Sequence, residues 1–262
     1  MKVAFCLFGL SGVDGFVEKS NESKKMNGNS YEIMKKSYEQ YKKFVFDINQ
    51  NIDLDVYLHT RNHSNIEKIK EMYKPKDYLI DDIDDISYMD GLKILHHNYN
   101  KAMMSRHDSV KKVLNLVKES YDLIFLCRFD LYFLKPLNFT EISLNKNQIM
   151  FAQNDQWKIN KESFKGFGNK NHSIEIKNGN YEVEKMNKYH VVDHWMLFKP
   201  ENINSIIKMG DCHSNYLQNN SYYYSASLNI HRFIAKYLID DCKLEIVHWE
   251  NHYYTCFTRY FV

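Results

Sequence analysis

The clearest chemical signal in the sequence is a charged pair at the end of an apolar run. Arg128 and Asp130 follow the run Leu123–Leu126 within the stretch Tyr121–Pro136. The run predicts a strand buried on both faces, and because residues two apart in a strand share a face, the two charged side chains should point the same way. Ligands of open α/β sheets bind beyond the carboxyl ends of the strands, so the pair is a candidate site. A purely structural ion pair is the alternative, but such pairs stabilise a fold weakly, which favours a functional role.

Two further groups of residues end predicted strands and should open into the same crevice. They are Phe8, Gly9 and Leu10 at the end of the first apolar run, and His59, Thr60 and Arg61 at the end of the second. Glycine at such a position lets a flat ligand approach the backbone closely.

Several familiar catalytic patterns are absent from the sequence. It contains no GxGxxG, GxxxxGK[ST] or GxSxG, which argues against a dinucleotide oxidoreductase, a P-loop enzyme and an α/β-hydrolase. His190 with His194, and His248 with His252, have the HxxxH spacing that can bind zinc on a helix. Because Leu244–Trp249 is typical of a strand and no HExxH occurs, the sequence does not favour a zinc site.

The elements that must position these residues alternate between strands and helices in the first half of the chain. Strands are predicted over Lys2–Leu10, Asp53–His59, Tyr78–Ile80 and Leu123–Leu126, and helices over Tyr31–Ile48, Asn65–Tyr73 and Asp108–Lys118. The polar segment Ser11–Ser30 is long for a loop in a compact domain, so a lid and a disordered segment are both open interpretations. The alternation predicts a mostly parallel α/β sheet covered by helices on both faces, with the first strand at its centre.

The second half of the chain follows a less regular pattern. Apolar segments predict strands over Gln148–Ala152, His190–Phe198, Leu244–Trp249 and Tyr253–Phe261, and helices over Glu201–Met209 and Ser225–Ile239. We expect a single domain over residues 1–262, with a nucleotide-binding half over 1–136 and an acceptor-side half over 137–262 that continues the same sheet as a mixed part.

Composition and charge narrow the class of protein. The chain has 262 residues, of which 44% are hydrophobic and 26% charged, enough for one large domain with a sizeable core. Its formal net charge of +2 is too small, and its lysines are too scattered, to indicate a nucleic-acid partner. No apolar run approaches the roughly 18 residues that span a bilayer, and Met1 leads directly into a strand. We therefore expect a cytoplasmic protein with no transmembrane segment.

The five cysteines are dispersed and show no CxxC spacing; they are Cys6, Cys127, Cys212, Cys242 and Cys256. Cys6 and Cys127 lie inside apolar strands, so we expect them to be buried, reduced thiols, as in a reducing compartment.

Two segments resemble a known family, the nucleotide-sugar glycosyltransferases of the GT-A type. LIFLCRFDLYF is similar to their strand and Asp-x-Asp turn, with Asp130 at the last aspartate and Arg128 where the first would be. It looks like the Arg-x-Asp variant of bacterial and large-virus enzymes, which would put the protein in the host cytoplasm if it is viral. VVDHWMLFKP is similar to the segment that faces the acceptor in such enzymes. The resemblance implies a GT-A-like fold and transfer of a hexosyl or pentosyl group, with inversion and retention both open.

The resemblance also implies roles on the donor side. Departure of a diphosphate requires neutralisation of its charge, by Mn²⁺ or Mg²⁺ on carboxylate oxygens or by Arg and Lys side chains. Asp130 is expected to hold the metal and Arg128 to contact the diphosphate, while arginine at the first position leaves metal independence as an alternative. His248 or His252 would supply a later metal ligand, with an ordinary surface histidine as the favoured alternative. Arg106 is a candidate phosphate contact, although a single arginine is usually a surface residue. The ends of the first two strands would receive the nucleoside.

On the acceptor side, the resemblance gives Asp193 the role of general base or of a contact to the acceptor hydroxyl. A helix cap or a satisfied buried acid is an equal alternative for Asp193. Trp195 and His194 would contact the acceptor, Trp195 by stacking on a sugar ring, although a buried tryptophan is usually part of a core.

The sequence therefore favours a glycosyltransferase that moves a sugar from a nucleoside diphosphate donor to a hydroxyl acceptor on a glycan. A non-catalytic nucleotide-sugar or glycan-binding module of the same fold is the alternative, because the first aspartate is missing. A third interpretation is an interaction protein whose 20 Tyr and 16 Phe form an adhesive surface, although a large core would need the same residues.

Overall fold

The computed structural model describes residues 1–9, 30–82, 97–133, 136–152, 191–218, 230–249 and 254–255. The strands are β1 (Lys2–Phe8), β2 (Asp53–Arg61), β3 (Asp77–Asp81), β4 (Leu123–Arg128), β5 (Tyr132–Phe133), β6 (Gln148–Ala152), β7 (Val192–Phe198), β8 (Glu245–Trp249) and β9 (Tyr254–Thr255). The α-helices are α1 (Ser30–Tyr41), α2 (Ile66–Tyr73), α3 (His97–Leu116), α4 (Ile203–Gln218) and α5 (Ile230–Lys236). Helix α1 continues as a π-helical turn over Lys42–Phe46, and α5 continues as another over Tyr237–Asp241.

Seven of the described strands form one sheet in the order β3-β2-β1-β4-β7-β6-β8. Neighbouring strands are parallel except at β7, which is antiparallel to both β4 and β6. Strand β7 therefore runs against the other six, and its amino end lies at the edge where the others have their carboxyl ends. A second, small sheet pairs β5 with β9 in antiparallel fashion.

The sheet has one hydrophobic core on each face. Alternate residues of β1 enter different cores, with Val3, Phe5 and Leu7 on one face and Ala4, Cys6 and Phe8 on the other. This arrangement explains why β1 reads as an unbroken apolar run, since a strand covered on both sides has no face for solvent. Burial of each large side chain contributes about 1.5–3 kcal/mol relative to exposure, so these two cores are the main source of stability.

Helices cover both faces because their apolar positions recur at helical spacing. In α1 the buried residues Met34, Ser37 and Tyr41 are three or four positions apart and face the first core. Residues of α3, α4 and α5 form the second core on the opposite face. The α/β class, the helices on both faces, the mostly parallel sheet and the mixed carboxyl-terminal part are as predicted from the sequence.

Helices α3 and α4 approach each other closely at one glycine. A Cβ atom added to Gly210 of α4 would lie 2.9 Å from Cβ of His107 on α3, which is closer than carbon atoms pack. In the same contact, Nε2 of His107 lies 3.0 Å from Nδ1 of His213, and the His213 ring stacks on Phe233 with ring centroids 4.0 Å apart. The absence of a side chain at Gly210 thus lets the two helices meet.

Several details differ from the expectation or are not tested. Helix α3 begins at His97, eleven residues before the predicted start at Asp108, and α4 extends to Gln218 rather than Met209. The mixed part was predicted without a direction for any single strand, and the structure shows that β7 is the antiparallel one among the strands of the described sheet. Most of the segment Ser11–Ser30, proposed as a lid or a disordered loop, lies outside the described residues, and the division into halves at residue 136 stays a prediction.

Burial of the aromatic side chains argues against an adhesive aromatic surface in the described part of the chain. The large hydrophobic residues that are exposed there are Met1, Ile48, Tyr78 and Leu79. Cys6 and Cys127 are free and buried, as expected. None of the described helices combines the length and the apolar character needed to cross a membrane.

Candidate functional site

The predicted site residues at the strand ends lie in one row across the sheet. Phe8, the last residue of β1, is paired in register with His59 of β2 and with Arg128, the last residue of β4. In parallel strands, residues in register point to the same face, here the face that α3 covers. These three residues therefore end one face of the sheet at the carboxyl edge, where the crevice is expected.

Arg128 and Asp130 form a bidentate ion pair. Nε of Arg128 donates to Oδ1 of Asp130 at 2.8 Å, and an Nη atom donates to Oδ2 at 2.7 Å. The side chains are 31% and 24% exposed, so the pair is within reach of a ligand in solvent. The prediction that the two side chains point the same way is confirmed. Two of the five N–H donors of the guanidinium serve this pair, and a guanidinium is well suited to phosphate oxygens.

A buried tyrosine supports the backbone of this pair from the opposite face of the sheet. The hydroxyl of Tyr41 on α1 donates to the backbone carbonyl of Arg128 and lies 3.1 Å from Sγ of Cys127. Burial raises the pKa of Tyr41 well above its ordinary value and also raises that of Cys127, so both groups stay protonated near neutral pH. No local pattern in the sequence indicates this contact, because Tyr41 occupies an ordinary apolar position of the predicted helix.

His59 is buried at the centre of a hydrogen-bonded chain. Its Nδ1 lies 2.6 Å from Oγ of Ser109 on α3, and its Nε2 lies 2.9 Å from Oδ2 of Asp81 at the end of β3. Oγ of Ser109 also accepts a hydrogen bond from the backbone N–H of Gly9 at 2.8 Å. Burial lowers the pKa of His59 although Asp81 raises it, so the ring is neutral at pH 7. The network joins the ends of β1, β2 and β3 to α3.

The same network includes two cations and two carboxylates. Arg61 donates to Asp81 at 3.0 Å and to Asp108 at 3.3 Å, and Lys112 lies 2.5 Å from Asp81 and 2.9 Å from Asp108. Burial opposes ionisation of Asp81, but hydrogen bonds from Lys112 and His59 hold its pKa below the ordinary value. The charges of these four side chains balance within the network.

This packing changes the roles expected for two strand-end residues. His59 is 1% exposed and Thr60 is fully buried, so their side chains support the edge rather than face the crevice. A nucleoside at this edge would meet the backbone and the partly exposed neighbours. Phe8 is likewise buried. Direct contact of these side chains with a donor stays a prediction, and their burial does not favour it.

Gly9 and Arg106 are the more accessible residues at the end of β1. Gly9 has φ of +105°, a conformation that favours glycine, and no described atom lies within 4 Å of the place where a Cβ would be. Arg106 on α3 is partly buried, and its guanidinium carbon lies 5.2 Å from the centroid of the Phe8 ring. A second guanidinium thus lies over the residue that pairs with Arg128. Leu10 lies outside the described residues.

The antiparallel strand β7 brings the second predicted motif to the same edge. Cys127 of β4 is paired with Trp195 of β7. Toward the carboxyl edge of the sheet, the next residue on β4 is Arg128, and the next residues on β7 are His194 and then Asp193. The two segments that carried the family resemblance are therefore neighbouring strands.

The side chains expected to contact the acceptor are buried. Trp195 is 1% exposed and packs against Phe125 and Trp249, at centroid distances of 5.5 and 5.8 Å. His194 is also buried. These positions favour a packing role for both residues, and their contact with an acceptor stays a prediction.

The described residues do not bring together the carboxylate and histidine ligands that were expected for a divalent cation. Both oxygens of Asp130 accept hydrogen bonds from Arg128, and no three His, Cys, Asp or Glu side chains among the described residues are grouped to hold a metal ion. His248 is exposed on β8, which is separated from β4 by three strand spacings, about 14 Å in all. His252 lies outside the described residues, so its role as a ligand stays a prediction.

A cavity of about 450 Å³ lies elsewhere in the molecule. It is lined by Tyr38, Phe46, Asn49, Leu54, Tyr73 and Lys76, among others. Leu54 is near the amino end of β2, so this cavity is at the sheet edge opposite to Arg128 and Asp130 and is not part of the candidate site.

Comparison with known proteins gives similarity of fold only. No family model matches the chain, and no curated protein matches it in sequence. The chain is similar to the crystal structure of mouse xyloside xylosyltransferase 1 in its apo form, with 9% identity and a TM-score of 0.44 over 94% of this chain and 84% of that chain. It is also similar to the galactosyltransferase LgtC in complex with donor and acceptor sugar analogues, with 10% identity and a TM-score of 0.46 over 95% of this chain and 73% of that chain. Both neighbours are glycosyltransferases, but similarity of this degree does not fix an activity.

Proposed function

We propose that this protein is a glycosyltransferase that moves a sugar from a nucleoside diphosphate sugar to a hydroxyl group of a glycan. One observation carries the proposal. A partly exposed guanidinium, Arg128, is fixed by Asp130 at the carboxyl edge of a mostly parallel sheet, where ligands of such folds bind. A pair whose only role was structural would have no need to lie at this edge with 31% and 24% of its two side chains exposed.

The reaction explains why cations belong at this position. The bond between the anomeric carbon and the diphosphate oxygen breaks, and its electron pair leaves with the diphosphate. The acceptor oxygen forms the new bond to the anomeric carbon and loses its proton. The departing diphosphate gains negative charge, which fixed cations stabilise most strongly in a partly dehydrated site. Arg128 and Arg106 are the side chains that we assign to this task.

The acceptor side of the reaction is assigned to β7. Asp193 is one residue beyond His194 on this strand, at the edge that Arg128 also occupies. We assign to Asp193 either removal of the acceptor proton or a hydrogen bond to the acceptor hydroxyl, since either role requires a carboxylate close to the departing group. A donor site on β4 and an acceptor site on β7 would then be neighbours.

One observation favours the alternative of a non-catalytic nucleotide-sugar binding module. Both oxygens of Asp130 accept hydrogen bonds from Arg128, so a catalytic metal ion on this carboxylate would lie beside the guanidinium charge. A binding module needs only the phosphate contact and would not need a base at Asp193.

A panel of nucleoside diphosphate sugars separates the two functions. We expect the full chain to release the nucleoside diphosphate from one of the donors slowly with water and faster with a glycan acceptor, which liquid chromatography of the nucleotide would detect. Binding of a nucleotide without release across donors and acceptors would identify a binding module. A chain that neither binds nor turns over any member of the panel would contradict both proposals.

A further inference from the structure

The environment of Asp130 does not suit a divalent cation. Mg²⁺ and Mn²⁺ bound to a diphosphate generally take one or two protein carboxylates as ligands. Here both carboxylate oxygens of Asp130 are bound by Arg128 at 2.7–2.8 Å. A cation on Asp130 would have to bind the remaining lone pairs of these oxygens or displace the guanidinium, and in either case it would lie beside the positive charge of Arg128, which opposes its binding.

Arg128 itself meets the requirements for a fixed cation at this place. Its guanidinium is held in one plane by Asp130, its backbone carbonyl is held by Tyr41, and its side chain is 31% exposed. A guanidinium keeps its charge at all relevant pH values and binds phosphate oxygens through two parallel N–H groups. The position therefore offers a charge that is already oriented before the ligand arrives.

A second cation strengthens this arrangement. Arg106 lies over the ring of Phe8, and Phe8 is the register partner of Arg128 in the neighbouring strand. Two guanidinium groups, Arg128 at the end of β4 and Arg106 on the helix that covers the same face, match the charge of a diphosphate better than that of a metal ion.

We infer that Arg128 replaces the divalent cation in this protein, so that a nucleoside diphosphate binds without metal and Asp130 is a positioning residue for the guanidinium. This inference rests on the proposed function. In the transfer step, the diphosphate leaves with the electron pair of the broken bond, and Arg128 and Arg106 neutralise the added charge through hydrogen bonds alone. No further reactant is required.

Calorimetry with UDP, GDP, dTDP and ADP, in the presence of EDTA and again with Mn²⁺, tests the inference on the full chain. We expect one nucleotide to bind in EDTA, with a dissociation constant that Mn²⁺ changes by less than about twofold. Arg128→Ala should weaken this binding at least about tenfold, the usual effect of losing a charged hydrogen-bond partner, and Arg128→Lys should weaken it less.

A matched control separates this effect from general loss of charge. Lys236 and Asp240 form a pair of similar exposure at 2.6 Å, shortly before the start of β8. Lys236→Gln should leave nucleotide binding unchanged.

Electron paramagnetic resonance of Mn²⁺ measures binding of the metal alone. The wild-type protein should not bind the ion. Arg128→Asp, which creates a pair of carboxylates with Asp130, should bind it.

The outcomes distinguish the inference from the function on which it rests. A nucleotide that binds only with Mn²⁺, or a wild-type protein that binds Mn²⁺ through Asp130, would overturn the inference and leave the glycosyltransferase proposal standing. Absence of binding by every nucleotide in both conditions would overturn the proposed function and the inference together.

Discussion

The hydroxyl of Tyr41 donates a hydrogen bond to the backbone carbonyl of Arg128, so helix α1 holds the end of β4 from the face opposite to the charged side chains. Tyr41 is also within 3.1 Å of Cys127 Sγ, which precedes Arg128 in the strand. Arg128 therefore has two supports: Asp130 holds its guanidinium, and Tyr41 holds its backbone carbonyl. This division of tasks is the basis of the first prediction.

Tyr41→Phe removes the hydroxyl and keeps the ring in its core position. We expect the free energy of unfolding to fall by about 1 kcal/mol, the usual net value of one buried hydrogen bond. Binding of the nucleoside diphosphate should weaken by about tenfold, because Arg128 would no longer be fixed in place. Urea unfolding and calorimetry measure the two effects.

The control for this change is Tyr38→Phe on the same helix. The ring of Tyr38 packs against Tyr73 at 4.9 Å and is on the same side of the sheet. Equal loss of nucleotide binding in both variants would show that Tyr41 has no special relation to Arg128.

The buried His59 should make stability depend on pH in a defined range. Burial lowers its pKa below the ordinary 6.5, and Arg61 and Lys112 add to this effect while Asp81 opposes it. The unfolded chain therefore binds a proton near pH 6.5 that the folded protein does not accept until a lower pH. Below pH 6.5 the unfolded state holds more protons, so stability must fall as the pH decreases, by at most about 1.4 kcal/mol per pH unit for this group.

Urea unfolding between about pH 5 and pH 8 checks this dependence. His59→Gln should flatten the curve in this range, whereas His248→Gln, at an exposed position, should not. Asp81 does not contribute here, because its pKa lies below 3.8 and its stabilising effect is lost only at lower pH. The same pH slope in wild type and His59→Gln would refute the assignment of a neutral, buried ring.

Gly210→Ala tests the contact between α3 and α4. The new Cβ would lie 2.9 Å from Cβ of His107, so the helices must move apart. We expect a net loss of about 1–2 kcal/mol, because the cost of overpacking, up to about 3 kcal/mol, exceeds the gain of about 1 kcal/mol that alanine gives a helix over glycine. Thermal or urea unfolding gives the value. Lys208→Ala, at an exposed position of the same helix, should change stability by no more than about 0.5 kcal/mol. A Gly210→Ala protein as stable as wild type would disprove the close contact.

The parallel half of the sheet could be predicted because its strands are buried on both faces and alternate with helices. Such strands read as unbroken apolar runs, as β1 and β4 do. The direction of β7 could not be predicted in the same way, since an apolar run is compatible with either orientation. Helix α3 was placed too late because its first turns contain few apolar residues, and its position depends on contacts with other elements.

Only the part of the candidate site that is formed by residues close together in the sequence could be predicted. Arg128 and Asp130 are two positions apart, so strand geometry alone places their side chains together. The contacts of Tyr41 with Arg128 and of Ser109 with His59 join residues 87 and 50 positions apart, and no local pattern marks them. Burial of His59 was missed for the same reason, since it arises when distant elements pack, whereas a core position was already the alternative for Trp195.

The most direct test of the central claim compares donor hydrolysis by wild type, Asp130→Asn and the control Asp240→Asn, whose aspartate pairs with Lys236 away from the candidate site. If Arg128 and Asp130 handle the donor diphosphate, Asp130→Asn should slow release of the nucleoside diphosphate by about 100-fold or more, with a melting temperature within a few degrees of wild type, while Asp240→Asn keeps the wild-type rate. A folded Asp130→Asn protein with the wild-type rate would contradict the claim.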